Sequence, residues 1–248
     1  MRVKIDLNAD LGEGAPYDEA LMSVITSCNI ACGGHTGDDA SMRTALALAK
    51  RHGVSAGAHP SFPDRETFGR SSSALSGAAL EDTLSAQVLA LKRLADEIDM
   101  SLTHLKPHGA LYNMAASDER LSNSIINVLN SALPGANLVG PPGSAMQKRT
   151  AANGVEFVAE GFADRAYEAD GRLRDRALSG AVILDPDVQA EQASQMTFDQ
   201  SVTAFTGETL DLPIRTICVH GDTPGAYESA KLIRERLIKS GAEICPQR

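Results

Sequence analysis

The chain has 248 residues, 43% hydrophobic and 22% charged, with 32 acidic against 23 basic side chains and a formal charge of −9. This is a soluble globular composition, and its length fits one core, since single cores stop growing only near roughly 250 to 300 residues. An acidic balance without any Lys/Arg block excludes nucleic acid and anionic membrane as main partners, because both require clustered positive charge.

The first apolar run, VKIDLN (3–8), starts without a charged leader, and nowhere do ~18 apolar residues follow one another, so a cytoplasmic protein is expected. CNIAC (28–32) follows, then a helix from about Ser41 to His52, then VSAGAH (54–59). A second helix steps through Leu80, Leu84, Val88, Leu91, Leu94 and Ile98 at intervals of three or four, which places one apolar stripe along it. After SLTHLK (101–106), Asp118 heads a helix marked by Leu121, Ile125 and Leu129 that closes at Pro134-Gly135. NLVG (137–140), EFVAEG (156–161) and TICVH (216–220) complete seven strand candidates, and a last helix through Ala226, Ala230, Ile233 and Leu237 ends at Gly241.

Strands alternating with helices imply parallel pairing, because a parallel neighbour needs a crossover connection. An open dinucleotide-type sheet is disfavoured: the first strand leads into acidic DLGEG rather than G-x-G-x-x-G, and no G-x-x-x-x-G-K-[ST] occurs. A parallel α/β barrel is therefore expected, in a single domain covering 1–248. GAVIL (180–184) is a candidate eighth strand. The connections 60–77 and 162–178 are long for such units, where roughly 2 to 6 residues is usual, and mark functional loops.

The cysteines are Cys28, Cys32, Cys218 and Cys245, without C-x-x-C or zinc-site spacing, so no disulfide framework is indicated. Cys28 and Cys218 read as core residues, and Cys32 as a candidate site wall. Of six histidines, His35, His59, His108 and His220 fall at or just after strand ends, as does Lys106. His104 lies inside a strand as a core histidine, and His52 ends a helix. In a parallel barrel all carboxyl ends open on one face, so these dispersed residues converge on one pocket. Asp6, Asn8 and Asp10 alternate along the first strand, share its inward side, and require cationic or metal partners if buried. Glu13 follows between Gly12 and Gly14, and the loop EGFADRAYEADGRLRDR (160–176) brings Arg165 and Arg174.

Six tracts in series, DLNADLGEG, NIACGGHTGDD, GAHPSFPD, KPHGALYN, EGFADRAYEADGRL and CVHGDTPGA, resemble the LamB/YcsF family over nearly the whole chain. The resemblance implies a distorted seven-stranded (β/α) barrel of the glycoside hydrolase/deacetylase type. It further implies ATP-dependent opening of 5-oxoproline to glutamate alongside 5-oxoprolinase subunits B and C, with ATP handled through those partners. Gly34, Thr36, Asp39 and Ser71 depart from the family's usual pattern.

On that basis Asp10, His35, His59, Lys106 and His108 are the expected catalytic residues. Asp10 or His35 would act as general base, and Lys106 with His108 would stabilise developing charge. Asp6, Asn8, Glu13, Arg174 and His220 are the expected substrate contacts, with the amides of the helix after His35 as a second anion site. A metal-dependent deacetylase or amidohydrolase using Asp10, His35 and His59 is the alternative, although no H-x-x-x-H spacing supports it, and no residue is assigned to a metal. A non-catalytic carbohydrate-binding or regulatory barrel is a third reading, weakened by the absence of Trp.

Overall fold

The computed structural model describes residues 2–221 and 223–247. β1 (Lys4–Leu11) is central, and its alternation assigns two jobs to one strand. Ile5, Leu7, Ala9 and Leu11 join the apolar core outside the barrel, whereas Asp6, Asn8 and Asp10 point into it. Around it run β2 (Ser27–Ala31), β3 (Ser55–His59), β4 (Leu102–Leu105), β5 (Asn137–Gly140), β6 (Phe157–Phe162) and, later in the chain, β9 (Thr216–Val219). Each pairs in parallel with the next, and β9 pairs with both β6 and β1, so seven strands close a barrel.

The crossovers are helices that cover the outside of the barrel. α1 (Asp18–Leu21) is a single turn. α2 (Asp39–His52) is held at its start by a reciprocal pair, in which the Asp38 carboxylate accepts from Ser41 N at 2.9 Å, and stops at left-handed Gly53. α3 (Gly77–Asp96) buries the Leu80, Leu84, Val88, Leu91 and Leu94 stripe. α4 (Gly109–Ala115), α5 (Glu119–Ala132) and α6 (Ala145–Asn153) follow, and Asp118 caps α5 as its position suggested. α7 (Pro186–Phe198) starts with Pro in its first turn, and α8 (Ala226–Lys239) closes the set. Among the described residues, no helix is long and apolar enough to cross a membrane.

GAVIL contributes no barrel strand: Val182 makes a lone antiparallel bridge to Arg165, and Leu184 is exposed. Between α7 and β9 the chain instead forms a short antiparallel hairpin, β7 (Ser201–Thr203) with β8 (Thr209–Asp211). β9 begins opposite Asp6, leaving the first residues of β1 without a neighbour on that edge. A two-residue strand, β10 (Glu243–Ile244), pairs there with Lys4 and Ile5.

The interior is polar and tightly fitted. Gly57 on β3 faces the His104 ring of β4, and a Cβ at residue 57 would lie 2.3 Å from it. Gly57→Ala is therefore expected to destabilise the fold by about 1–3 kcal/mol through overpacking. Urea unfolding checks this, and a midpoint indistinguishable from the parent protein would contradict it.

Candidate active site at the barrel mouth

Three polar layers stack inside the barrel toward the carboxyl ends of the strands. In the deepest, the Asp6 carboxylate accepts from the hydroxyls of Thr26, Ser27 and Thr216, each at 2.6 Å. Burial raises its pKa in spite of these donors. Asn8 donates to Glu160 Oε1 at 3.0 Å and to Thr216 Oγ1 at 2.7 Å, and accepts from Asn29 at 2.8 Å. Asp6 and Asn8, expected to touch substrate, are therefore committed to partners beneath the mouth. Beside them His104 Nε2 donates to Asn29 Oδ1 at 2.8 Å, and burial pushes its pKa down to about 3, which makes it a neutral core histidine.

The middle layer is ionic. Lys106 is 2% exposed, with its ammonium 2.8 Å from Glu160 Oε1, 3.0 Å from Asp10 Oδ1 and 3.1 Å from Cys218 Sγ. Burial alone would lower the Lys106 pKa, but Asp10 and Glu160 raise it well above its ordinary value. Burial likewise opposes ionisation of Asp10, and His59 and Lys106 overcome it to hold Asp10 well below the usual carboxylate range. Lys106 is thus a buried cation between two carboxylates, enclosed below the surface rather than presented to solvent. Asn29 and Lys106 occupy Asp10 Oδ1, so Oδ2 is the oxygen turned to the mouth, 3.3 Å from His59 Nε2 and 4.0 Å from His220 Nε2.

The top layer is built from imidazoles and Glu13. His59 ends β3, with Nδ1 2.8 Å from the Lys106 carbonyl. His108 precedes α4, with Nε2 3.0 Å from the Phe68 carbonyl and Nδ1 3.0 Å from His59 Nε2. His35 stacks on His108 at a centroid separation of 3.6 Å and meets Glu13 Oε1 at 3.0 Å, while its own Nδ1 is buried without a partner. Burial holds both His35 and His108 below the ordinary histidine value.

The long loop after β3 fixes this layer. Phe68 adopts φ 57°, a left-handed conformation costly for an aromatic residue, and so turns its carbonyl to His108. At Gly69 the backbone passes so close that a Cβ would sit 2.9 Å from His35 Cβ.

His220, just beyond β9, pairs through Nδ1 with Asp164 Oδ2 at 2.7 Å. Burial would lower its pKa, but the Asp164 carboxylate outweighs this and raises it. A raised folded-state pKa adds stability that is complete below the unfolded histidine value, about 6.5, and is lost as pH rises through the higher folded value. His220 is therefore expected to titrate above its ordinary value by NMR. In Asp164→Asn that elevation, and the matching decline in melting temperature on going from about pH 6 to about pH 8, should disappear. An unchanged titration in Asp164→Asn would refute the pairing.

The barrel thus brings together Asp10, Glu13, His35, His59, Lys106, His108 and His220. It does not bring Arg174 to them: that side chain binds Glu168 Oε1 at 2.6 Å and Ser179 O at 3.0 Å, and lies over the Phe205 ring. Arg165 likewise spans its own loop through the Ala181 and Arg174 carbonyls. Burial opposes ionisation of Asp164, and His220, with a smaller contribution from Arg176 of the loop, lowers its pKa. The start of α2 is no free anion site, because Asp38 occupies it. Cys32 is buried, with its thiol pushed up to about 12, and none of the four cysteines is bridged. Asp222 of the last tract lies outside the described residues.

Glu160, Asn29 and Asp164 join the site without being among the expected site residues. Glu160 carried a usable signal, a lone carboxylate at an inward position of an apolar strand, as at Asp10. Among the described residues, two groups offer ligand atoms within 4.8 Å of one another: Glu13, His35, His59 and His108, and Asp10, Cys218 and His220.

Comparisons with known proteins agree with this architecture. A curated relative from Chloroflexus aggregans, named as the A component of 5-oxoprolinase, is 42% identical over 247 residues, 98% of each chain. The crystal structure of a lactam utilization protein from Thermus thermophilus superposes with a TM-score of 0.90 at 36% identity, covering 98% of this chain and 99% of that one. The catalytic domain of a peptidoglycan N-acetylglucosamine deacetylase from Eubacterium rectale shares the fold alone, at 12% identity and a TM-score of 0.53 over 100% of this chain and 90% of that domain. The LamB/YcsF family profile matches residues 5–248, and the chain belongs to that family.

Proposed function

We propose that the chain is the A component of an ATP-dependent 5-oxoprolinase, opening the lactam of 5-oxoproline to glutamate together with partner subunits B and C in the cytoplasm. The observation that carries the reading is the layered mouth, with ionised Asp10 over the Lys106–Glu160 pair and three imidazoles with Glu13 above it. It sits in a chain whose relative over 98% of its length is named as the A component of 5-oxoprolinase.

A lactam is a poor electrophile, and water must attack its carbonyl while the ring nitrogen acquires a proton. The chain contains no Walker-type phosphate loop, so ATP enters through the partners, which would activate the carbonyl. Among this chain's residues, Asp10 Oδ2, the oxygen turned to the mouth, orients the water and takes its proton. Protonated His220, poised by Asp164 on the other side of Asp10 Oδ2, supplies the proton to the leaving nitrogen. Lys106 does not meet substrate; it keeps Asp10 ionised and in place. This modifies the expectation that Lys106 stabilises substrate charge directly.

The test is an ATP-dependent 5-oxoproline assay with this chain, its candidate B and C partners, and all three combined. Glutamate release is expected only with all three. Full turnover by the partners without this chain, or none in any combination with correctly folded subunits, would remove the reading.

A further inference from the structure

With both rings neutral, the top layer holds four acceptor atoms facing one another, a gap that is filled either by a metal ion or by an extra proton on the His59–His108 pair. Carbonyl oxygens only accept, so His59 Nδ1 and His108 Nε2 must both carry hydrogens to bond the carbonyls of Lys106 and Phe68. In neutral rings the opposite nitrogens, His59 Nε2 and His108 Nδ1, then carry bare lone pairs, yet they face each other at 3.0 Å. Glu13 Oε1 approaches the same space, 3.5 Å from His108 Nδ1 and 3.8 Å from His59 Nε2, and Asp10 Oδ2 lies 3.3 Å from His59 Nε2. All four atoms are acceptors.

We propose that His59 Nε2, His108 Nδ1 and Glu13 Oε1 hold one divalent transition-metal ion of the zinc type, with Asp10 Oδ2 beside its open position. A point equidistant from the three ligand atoms lies about 2.0 Å from each, against roughly 2.0–2.2 Å for zinc bonded to nitrogen or carboxylate oxygen. The two imidazole planes cross at 88°, so an ion lying in the plane of both rings is confined to the line where those planes meet. Backbone carbonyls bonded to the far nitrogens are the usual outer partners that fix ligating histidines.

His35 is excluded as a ligand although it belongs to the same cluster. Its ring lies parallel to His108 within 3° at 3.6 Å, so an ion in the plane of one ring is far out of the plane of the other. It donates instead to Glu13 Oε1 and positions that carboxylate. The ligand set therefore differs from the Asp10, His35 and His59 trio that strand-end position alone suggested.

The inference rests on the location of the site and not on the lactam as its substrate, so binding is read directly. Full-length protein without an affinity tag is stripped with chelator, checked for folding by circular dichroism, and titrated with Zn²⁺ by calorimetry, with elemental analysis after dialysis. One ion per chain is expected in the parent protein and in His52→Ala, whose histidine is a surface residue. Affinity should fall at least about 10-fold in Glu13→Gln and His35→Ala, and binding should vanish in His108→Ala. A folded chain that binds no Zn²⁺, with a proton shared between His59 and His108 instead, overturns the proposal. Equal binding by Glu13→Gln and His108→Ala overturns it too, because the ion would then lie elsewhere. An ion bound as expected in a chain that turns over no 5-oxoproline with its partners upholds the site and removes only the lactam reading.

Discussion

Lys106→Met is expected to lower stability by about 3–5 kcal/mol, because it strands the Asp10 and Glu160 carboxylates in a buried site without their shared cation. For a chain of this size that is a fall in melting temperature of roughly 6–20 °C. Activity in the reconstituted complex should fall by at least about 100-fold, since Asp10 loses the partner that holds it ionised and oriented. The double variant Lys106→Met/Glu160→Gln separates the two effects. Removing one of the stranded charges should recover part of the stability, with little recovery of turnover. Calorimetric melting and a steady-state assay read both quantities. If Lys106→Met melted within about 2 °C of the parent, roughly what ΔΔG below 1 kcal/mol would give, the ionic account of the middle layer would fail.

The second large effect is expected at Asp10. Asp10→Asn keeps the shape and an acceptor oxygen for Asn29, but removes the charge facing His59 and His220 and leaves Lys106 an amide oxygen in place of an anion. Turnover should drop by about 10²–10⁴-fold, with kcat carrying most of the loss if Asp10 acts on the reacting water rather than on ground-state binding. The raised pKa of His220 should also move toward its ordinary value, because Asp10 is one of the charges supporting it. A variant that keeps kcat within about fivefold of the parent would exclude Asp10 from the chemistry.

Much of the barrel was legible because each strand has its own local signature. Short apolar runs separated by 3.6-periodic segments fix parallel pairing, and the polar alternation of Asp6, Asn8 and Asp10 identifies which face of β1 turns inward. The convergence of His35, His59, Lys106, His108 and His220 followed from position alone, because every parallel strand ends on the same face. Depth along that face was not legible. Asp6 and Asp10 look equivalent in sequence, yet one is enclosed by three hydroxyls and the other reaches the mouth. Loop conformation was equally hidden: Arg174 satisfies its own loop, and Asp38 caps the helix whose amides looked available.

The amino-acid order alone thus pointed to the seven barrel strands, their parallel direction and the histidines and Lys106 at their ends, because these depend on local periodicity and on strand ends, while it left open whether GAVIL adds an eighth strand. Partnership needed the closed barrel. Lys106 meets Asp10 and Glu160 across 96 and 54 residues of chain, and His220 meets Asp164 across 56. Such pairs decide which carboxylate is ionised, which histidine is protonated and which nitrogens are left facing each other. No local rule sets those outcomes, since each depends on desolvation and on charges that only closure of the seven strands brings within bonding distance.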